Sequence, residues 1–116
     1  MLRILLVEDE PDLAEIQAAV LEDAGYHVTV AHDGLTGLTL ALQEHPELVI
    51  TDFMMPRLNG LDMIEQLRRA NYSAPIVLCT KVAEANLPAA QRLYDAYLAK
   101  PFVVDGLLRA VSALSP

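Results

Sequence analysis

The sequence predicts an α/β fold: a doubly wound, five-stranded parallel sheet in the order 2-1-3-4-5, with helices on both faces and a shortened fourth helix. Three observations predict it. Strand and helix signals alternate five times along 116 residues. The strand runs are near-continuous in Leu, Ile and Val, as expected when helices cover both faces of a parallel sheet. The apolar runs also stop abruptly at chemically capable groups. Leu2 to Val7 ends in Glu8-Asp9, Leu48 to Thr51 in Asp52, Ile76 to Cys79 in Thr80, and Tyr97 to Ala99 in Lys100-Pro101.

The first strand, about residues 2–7, leads to a helix starting at Pro11, with Leu13, Ile16 and Val20 on one face and Gly25 at its end. Tyr26 to Ala31 alternates in part and reads as a strand nearer an edge. Asp33 then caps a helix carrying Leu35, Leu38 and Leu42. The third strand, about 47–51, gives way to a loop and a helix from Gly60 to Ala70 that carries Leu61, Ile64 and Leu67. Pro75 opens the fourth strand, about 76–79. Leu87-Pro88 then falls where a fourth helix should be running, and an interior proline costs ~3 kcal/mol. The fourth helix is therefore expected from Pro88 to about Tyr94 only. A fifth strand near 96–99 and a last helix from Val104 to Leu114 complete one domain over 1–116, with 112–116 readable as the start of a linker.

Repeated strand-helix units require right-handed crossovers. The order 2-1-3-4-5, the flavodoxin-like one, sets the ends of the first and third strands side by side at the topological switch point, where ligands bind. The strand-end groups and the predicted ligand crevice are thus one place.

Composition narrows the function. A formal net charge of −8 argues against nucleic-acid binding by this chain. Neither a ~20-residue apolar span nor a signal-peptide pattern is present, and the single Cys79 lies in an apolar strand, so the expected setting is cytoplasmic and reducing. His27, His32 and His45 lie away from the strand-end edge and receive no role.

Three carboxylates at one sheet edge repel. At ~4 Å and an effective dielectric of ~20, each like-charged pair costs about 4 kcal/mol before relaxation. Glu8, Asp9 and Asp52 against Lys100 leave two negative charges, which a divalent cation would neutralise. With oxygen ligands only, Mg2+ or Mn2+ fits better than zinc. A carboxylate can itself accept a phosphoryl group, with Lys100 and the Thr80 hydroxyl stabilising its oxygens. Each residue alone has an ordinary explanation: a helix-start charge for Glu8 or Asp9, a turn for Asp52, a strand-end hydroxyl for Thr80, a half-buried aromatic for Tyr97, a solvated lysine for Lys100. Together those explanations need several coincidences at one edge.

Over its whole length the chain resembles a bacterial response-regulator receiver domain. Glu8-Asp9 is similar to the family's acidic pair, Asp52 with Met55-Pro56 and Asn59-Gly60 to its phosphoacceptor loop, Thr80 to its switch hydroxyl, and Lys100-Pro101-Phe102 to its Lys-Pro motif. Tyr97 matches the aromatic whose rotamer reports activation. The resemblance implies that Asp52 accepts phosphate from a phosphohistidine on a sensor histidine kinase or histidine phosphotransfer protein. It implies direct Mg2+ ligation by Asp9, Asp52 and the Met54 main-chain carbonyl, with Glu8 acting through water. It also implies phosphoryl binding by Lys100, a cis bond between Lys100 and Pro101, and an output face on the fourth helix, fifth strand and fifth helix. That face leaves room for a homodimer.

Two departures stand out. Lys81 follows Thr80 where the family usually has a small residue, so it is expected to modulate access to Asp52. The stretch between Thr80 and Lys100 is about two residues short and shows Tyr94-Asp95-Ala96 in place of the usual Gly-Ala turn. That stretch motivates the alternative of a receiver-like interaction module that works without phosphorylation. A phosphohydrolase using Asp52 is disfavoured, because Met54 stands where its second acid belongs. A Rossmann-type cofactor domain lacks its Gly-rich loop. A phosphorylation switch, rather than an enzyme, is the leading expectation.

Overall fold

A computed structural model describes residues 2–101 and 104–115. Five strands, β1 (Arg3–Val7), β2 (His27–Ala31), β3 (Leu48–Asp52), β4 (Ile76–Thr80) and β5 (Ala96–Ala99), pair in parallel in the order β2-β1-β3-β4-β5. The α-helices are α1 (Pro11–Asp23), α2 (Gly34–Glu44), α3 (Gly60–Arg69) and α4 (Val104–Leu114). Along β1 the side chains alternate between two cores, as strand geometry requires. Leu5 and Val7 join the α2 and α3 side, whereas Ile4 and Leu6 join the side built on Leu21 of α1 and on Leu107 and Val111 of α4.

The α3 stripe is as read from the sequence: Leu61, Ile64 and Leu67 are all buried, each worth about 1.5–3 kcal/mol in transfer from water. The faces of α1 and α2 are not. On α1 the buried positions are Ala14, Gln17 and Leu21, one residue round from the expected stripe, and Ile16 is 60% exposed. On α2 they are Gly34, Gly37 and Ala41, while Leu35 and Leu42 are exposed. Close packing is the reason. A Cβ on Gly37 would stand 2.8 Å from Val7 Cγ2, so the α2 backbone lies against β1 and its leucines are pushed to the flanks.

The expected helix from Pro88 to Tyr94 is corrected. Among the described residues, 81–95 contain only two 3-10 turns, Glu84–Asn86 and Ala89–Gln91. Leu87 is extended (φ −86°, ψ 142°) so that its side chain reaches the α3-side core, where it is 3% exposed. Pro88 follows in an extended conformation and starts the second turn rather than a helix. The Arg92 guanidinium donates to the Glu84 and Leu87 carbonyls at 2.9 and 3.1 Å, satisfying acceptors that helix amides would otherwise serve. Leu87, not the exposed Leu93, anchors the segment. Phe102 of the Lys-Pro-Phe motif and Pro116 of the tail lie outside the described residues.

Candidate functional site

Strand register assembles the site. Val7 pairs with Thr51, so Glu8 and Asp52 come off the ends of neighbouring strands together. Asp52 pairs with Cys79, one residue before Thr80, and Thr80 pairs with Ala99, one residue before Lys100. No further folding information is needed to bring three carboxylates, a hydroxyl and an ammonium to one edge.

Lys100 Nζ sits between the first and third strands, 2.7 Å from Glu8 Oε1 and 3.0 Å from Asp52 Oδ2. Its side chain is only 8% exposed and that of Glu8 only 2%. Asp52 Oδ1 accepts from the Phe53 amide at 2.7 Å, and Glu8 Oε2 from the Glu10 amide at 3.2 Å. Asp9 completes the group: one oxygen each from Glu8, Asp9 and Asp52 lies within 4.8 Å of the others. Burial pushes the Glu8 carboxyl above its ordinary range, against the pull of Lys100. Burial opposes the Lys100 charge too, but its hydrogen bonds to Glu8 and Asp52 win and its pKa rises. Three carboxylates with one ammonium leave two negative charges, and the donors are all hard oxygens. This cluster suits a divalent cation of the magnesium type.

Asp9, Asp52, Met54, Thr80, Lys81 and Lys100 line one cavity of about 170 Å³. Thr80 is buried, and its Oγ1 accepts from the Val82 amide at 3.1 Å. The Tyr97 hydroxyl donates to the Val82 carbonyl, so Thr80 and Tyr97 hold the same residue from two sides. Nothing in the sequence marks Val82, because both contacts are to its main chain. The Lys100–Pro101 peptide is cis. Burial pushes the Cys79 thiol up to about 12, which leaves it inert behind the site.

The loop after Asp52 is fixed by two close approaches. A Cβ on Gly60 would lie 1.9 Å from the Asp52 carbonyl oxygen, and one on Gly34 equally close to that of Leu58. The Asn59 side chain caps α3 by accepting from the Asp62 amide at 2.9 Å.

The stripe Leu13, Ile16 and Val20 has a location of its own. It forms one wall of an apolar groove of about 240 Å³ between α1 and α4, which Lys81, Lys100 and Pro101 close at the end nearest the acidic cluster. Both lysines of the chain therefore line the groove and the acidic cavity together.

A family model described as the response regulator receiver domain matches residues 4–112. Among curated proteins, the DNA-binding dual master transcriptional regulator RpaA of Synechocystis is 36% identical over 98% of this chain and 49% of its own length. The transcriptional regulatory protein CusR of Escherichia coli is 37% identical over 97% of the chain and 51% of its length. The chain thus spans about half the length of these relatives. Among solved structures, the response regulator TrrA of Thermotoga maritima, crystallised with Mg(2+)-BeF, superposes with a TM-score of 0.91 at 32% identity, covering 98% of this chain and 99% of that one. A Francisella response regulator receiver domain gives 0.91 at 28% identity, covering 98% and 96%.

Proposed function

The chain belongs to the response regulator receiver domain family of two-component systems, and on that footing we propose that Asp52 is its phosphoacceptor. The observation that carries the assignment is the position of Lys100, whose one ammonium bonds both Glu8 and Asp52 while Asp9 and Thr80 line the same cavity as Asp52. The phosphoryl donor we assign is a phosphohistidine on a sensor kinase or phosphotransfer protein. An Asp52 carboxylate oxygen attacks phosphorus, the P–N bond breaks, and the imidazole leaves with the bonding pair and takes up a proton. Lys100 turns from the carboxylate to the new phosphoryl oxygens, and the Thr80 hydroxyl leaves the Val82 amide to donate to them.

Glu8, Asp9, Asp52 and the Met54 carbonyl are the groups that would hold Mg2+. When bound, the ion supplies the positive charge that offsets the carboxylates and the transferring group. Lys81, exposed at the mouth of the cavity, slows entry to and exit from Asp52. The neighbouring groove seats the apolar surface of the donor, since its lysine-lined end opens beside Asp52. The protein is a cytoplasmic phosphoryl acceptor that changes surface rather than turning over a substrate. The names of the half-matched relatives point to transcriptional control as the output.

Incubation with a small phosphodonor and Mg2+ should add one phosphoryl group, and Asp52→Asn should abolish the addition; modification that persists in that variant overturns the assignment. The absence of an α-helix between β4 and β5 among the described residues favours a second reading, an interaction module independent of phosphorylation. Failure of the wild type to bind beryllofluoride with Mg2+ would select it.

A further inference from the structure

We propose that the hydrogen bond between Gln91 and Asp62 is an autoinhibitory latch, which holds the segment between β4 and β5 in its 3-10 form until Asp52 is phosphorylated. The proposal rests on the reading of Asp52 as phosphoacceptor. Gln91 Nε2 donates to Asp62 Oδ1 at 2.6 Å, and the other oxygen of Asp62 accepts from Asn59 Nδ2 at 3.0 Å. Asn59 belongs to the loop that leaves Asp52, and Gly60 beside it lies directly on the Asp52 carbonyl. The Gly60 amide also donates to the Phe53 carbonyl at 2.7 Å. A main-chain shift at Asp52 therefore reaches the first turn of α3, where Asp62 sits, instead of being absorbed in the loop.

The main chain of the segment has little hold of its own: its two turns are closed by 3-10 bonds alone, two in each turn, of 2.9 to 3.2 Å. Side chains fix it instead, with Leu87 in the core and Arg92 on the Glu84 and Leu87 carbonyls within it, and with a further grip at each end. At its start Thr80 and Tyr97 grip Val82, and near its finish Gln91 grips α3. Phosphorylation recruits the Thr80 hydroxyl and loosens the first end, leaving Tyr97 alone on Val82. The grip at the second end then weighs on how readily the segment moves.

That second end is built to release. Gln91 and Asp62 are both half-exposed, so water replaces the lost partner on each side. Asp62 keeps its bond from Asn59 and its place in the first turn of α3, where the helix dipole favours a carboxylate. The latch thus adds a small bias toward the resting arrangement, the size of bias a two-state element responds to. Linkage makes the consequence reciprocal: a broken latch must raise affinity for a phosphoryl mimic at Asp52.

Gln91→Leu removes the donor, and Gln91→Glu sets a second carboxylate against Asp62. Beryllofluoride binding in Mg2+ is titrated calorimetrically for the wild type and both variants, with amide exchange followed over residues 84–92. Both variants should bind about fivefold more tightly. They should exchange faster than the wild type across 84–92 without the mimic and at the wild-type rate with it. If the wild type binds and either folded variant binds equally or more weakly, there is no latch. If the wild type does not bind at all, the phosphoacceptor reading falls and the latch falls with it.

Discussion

Replacing Lys100 with Met tests the electrostatics of the site most severely. The ammonium is the only cation that bonds Glu8 or Asp52 among the described residues, and both its partners are largely shielded from water. Breaking a buried pair from one side costs about 3–5 kcal/mol. Here the cost is lower, because Asp52 borders an open cavity and Glu8 can take up a proton; about 2–3 kcal/mol is the expected loss in chelator at pH 7. For a domain of this size that is a fall in Tm of roughly 8–12 °C.

The pH dependence identifies the cause. The Glu8 carboxyl is raised in the folded state, so the fold binds more protons than the unfolded chain between the ordinary value of 4.5 and the folded value. Stability falls as pH rises through that window. Lys100 pulls the Glu8 value down, so its removal widens the window upward and adds to the loss above it. The deficit of Lys100→Met should therefore shrink as pH is lowered from 8 toward 5, and millimolar Mg2+ should shrink it at pH 7. Thermal melts across that range decide the matter. A deficit that is independent of pH and of Mg2+ would show that lost packing, not uncompensated charge, is responsible.

Other expectations follow from the same geometry. Mg2+ should raise the wild-type Tm, with a gain of roughly 1.4 kcal/mol at ten times Kd, and Asp9→Asn should lose most of it; melting indifferent to millimolar Mg2+ contradicts the metal site. Ile16→Glu places a charge in the groove wall, so phosphotransfer from a protein donor should slow about tenfold, equivalent to roughly 1.4 kcal/mol, while phosphorylation by a small donor is unchanged. Equal effects on both donors would move docking elsewhere. Lys81→Ala should speed both phosphorylation by small donors and loss of the phosphate; unchanged rates would make Lys81 a solvated loop residue.

The sheet was legible because most of its strands are short, near-continuous apolar runs and because parallel order leaves few arrangements. The acidic cluster was legible for the same reason: register alone carries Glu8, Asp52, Thr80 and Lys100 to one edge. Hydrophobic periodicity succeeded on α3, where Leu61, Ile64 and Leu67 meet the sheet. It failed on α1, whose buried positions are Ala14, Gln17 and Leu21, and on α2, where Gly34, Gly37 and Ala41 let the backbone approach its neighbours. A leucine count cannot see a face defined by small residues. Between β4 and β5 the sequence signal was Pro88 as a helix start, but tertiary contacts prevailed: Leu87 needed the core and Arg92 took the carbonyls. The main-chain grip on Val82 by Thr80 and Tyr97 leaves no trace in residue identity.

The central claim is that Asp52 itself forms the acyl phosphate. Borohydride converts an aspartyl phosphate to homoserine and leaves free carboxylates alone, so reducing the phosphorylated protein and mapping its peptides reads the position directly. The account predicts homoserine at residue 52 alone, dependent on the phosphodonor and on Mg2+. Homoserine at Asp9 or at another carboxylate, with residue 52 unchanged, would contradict it.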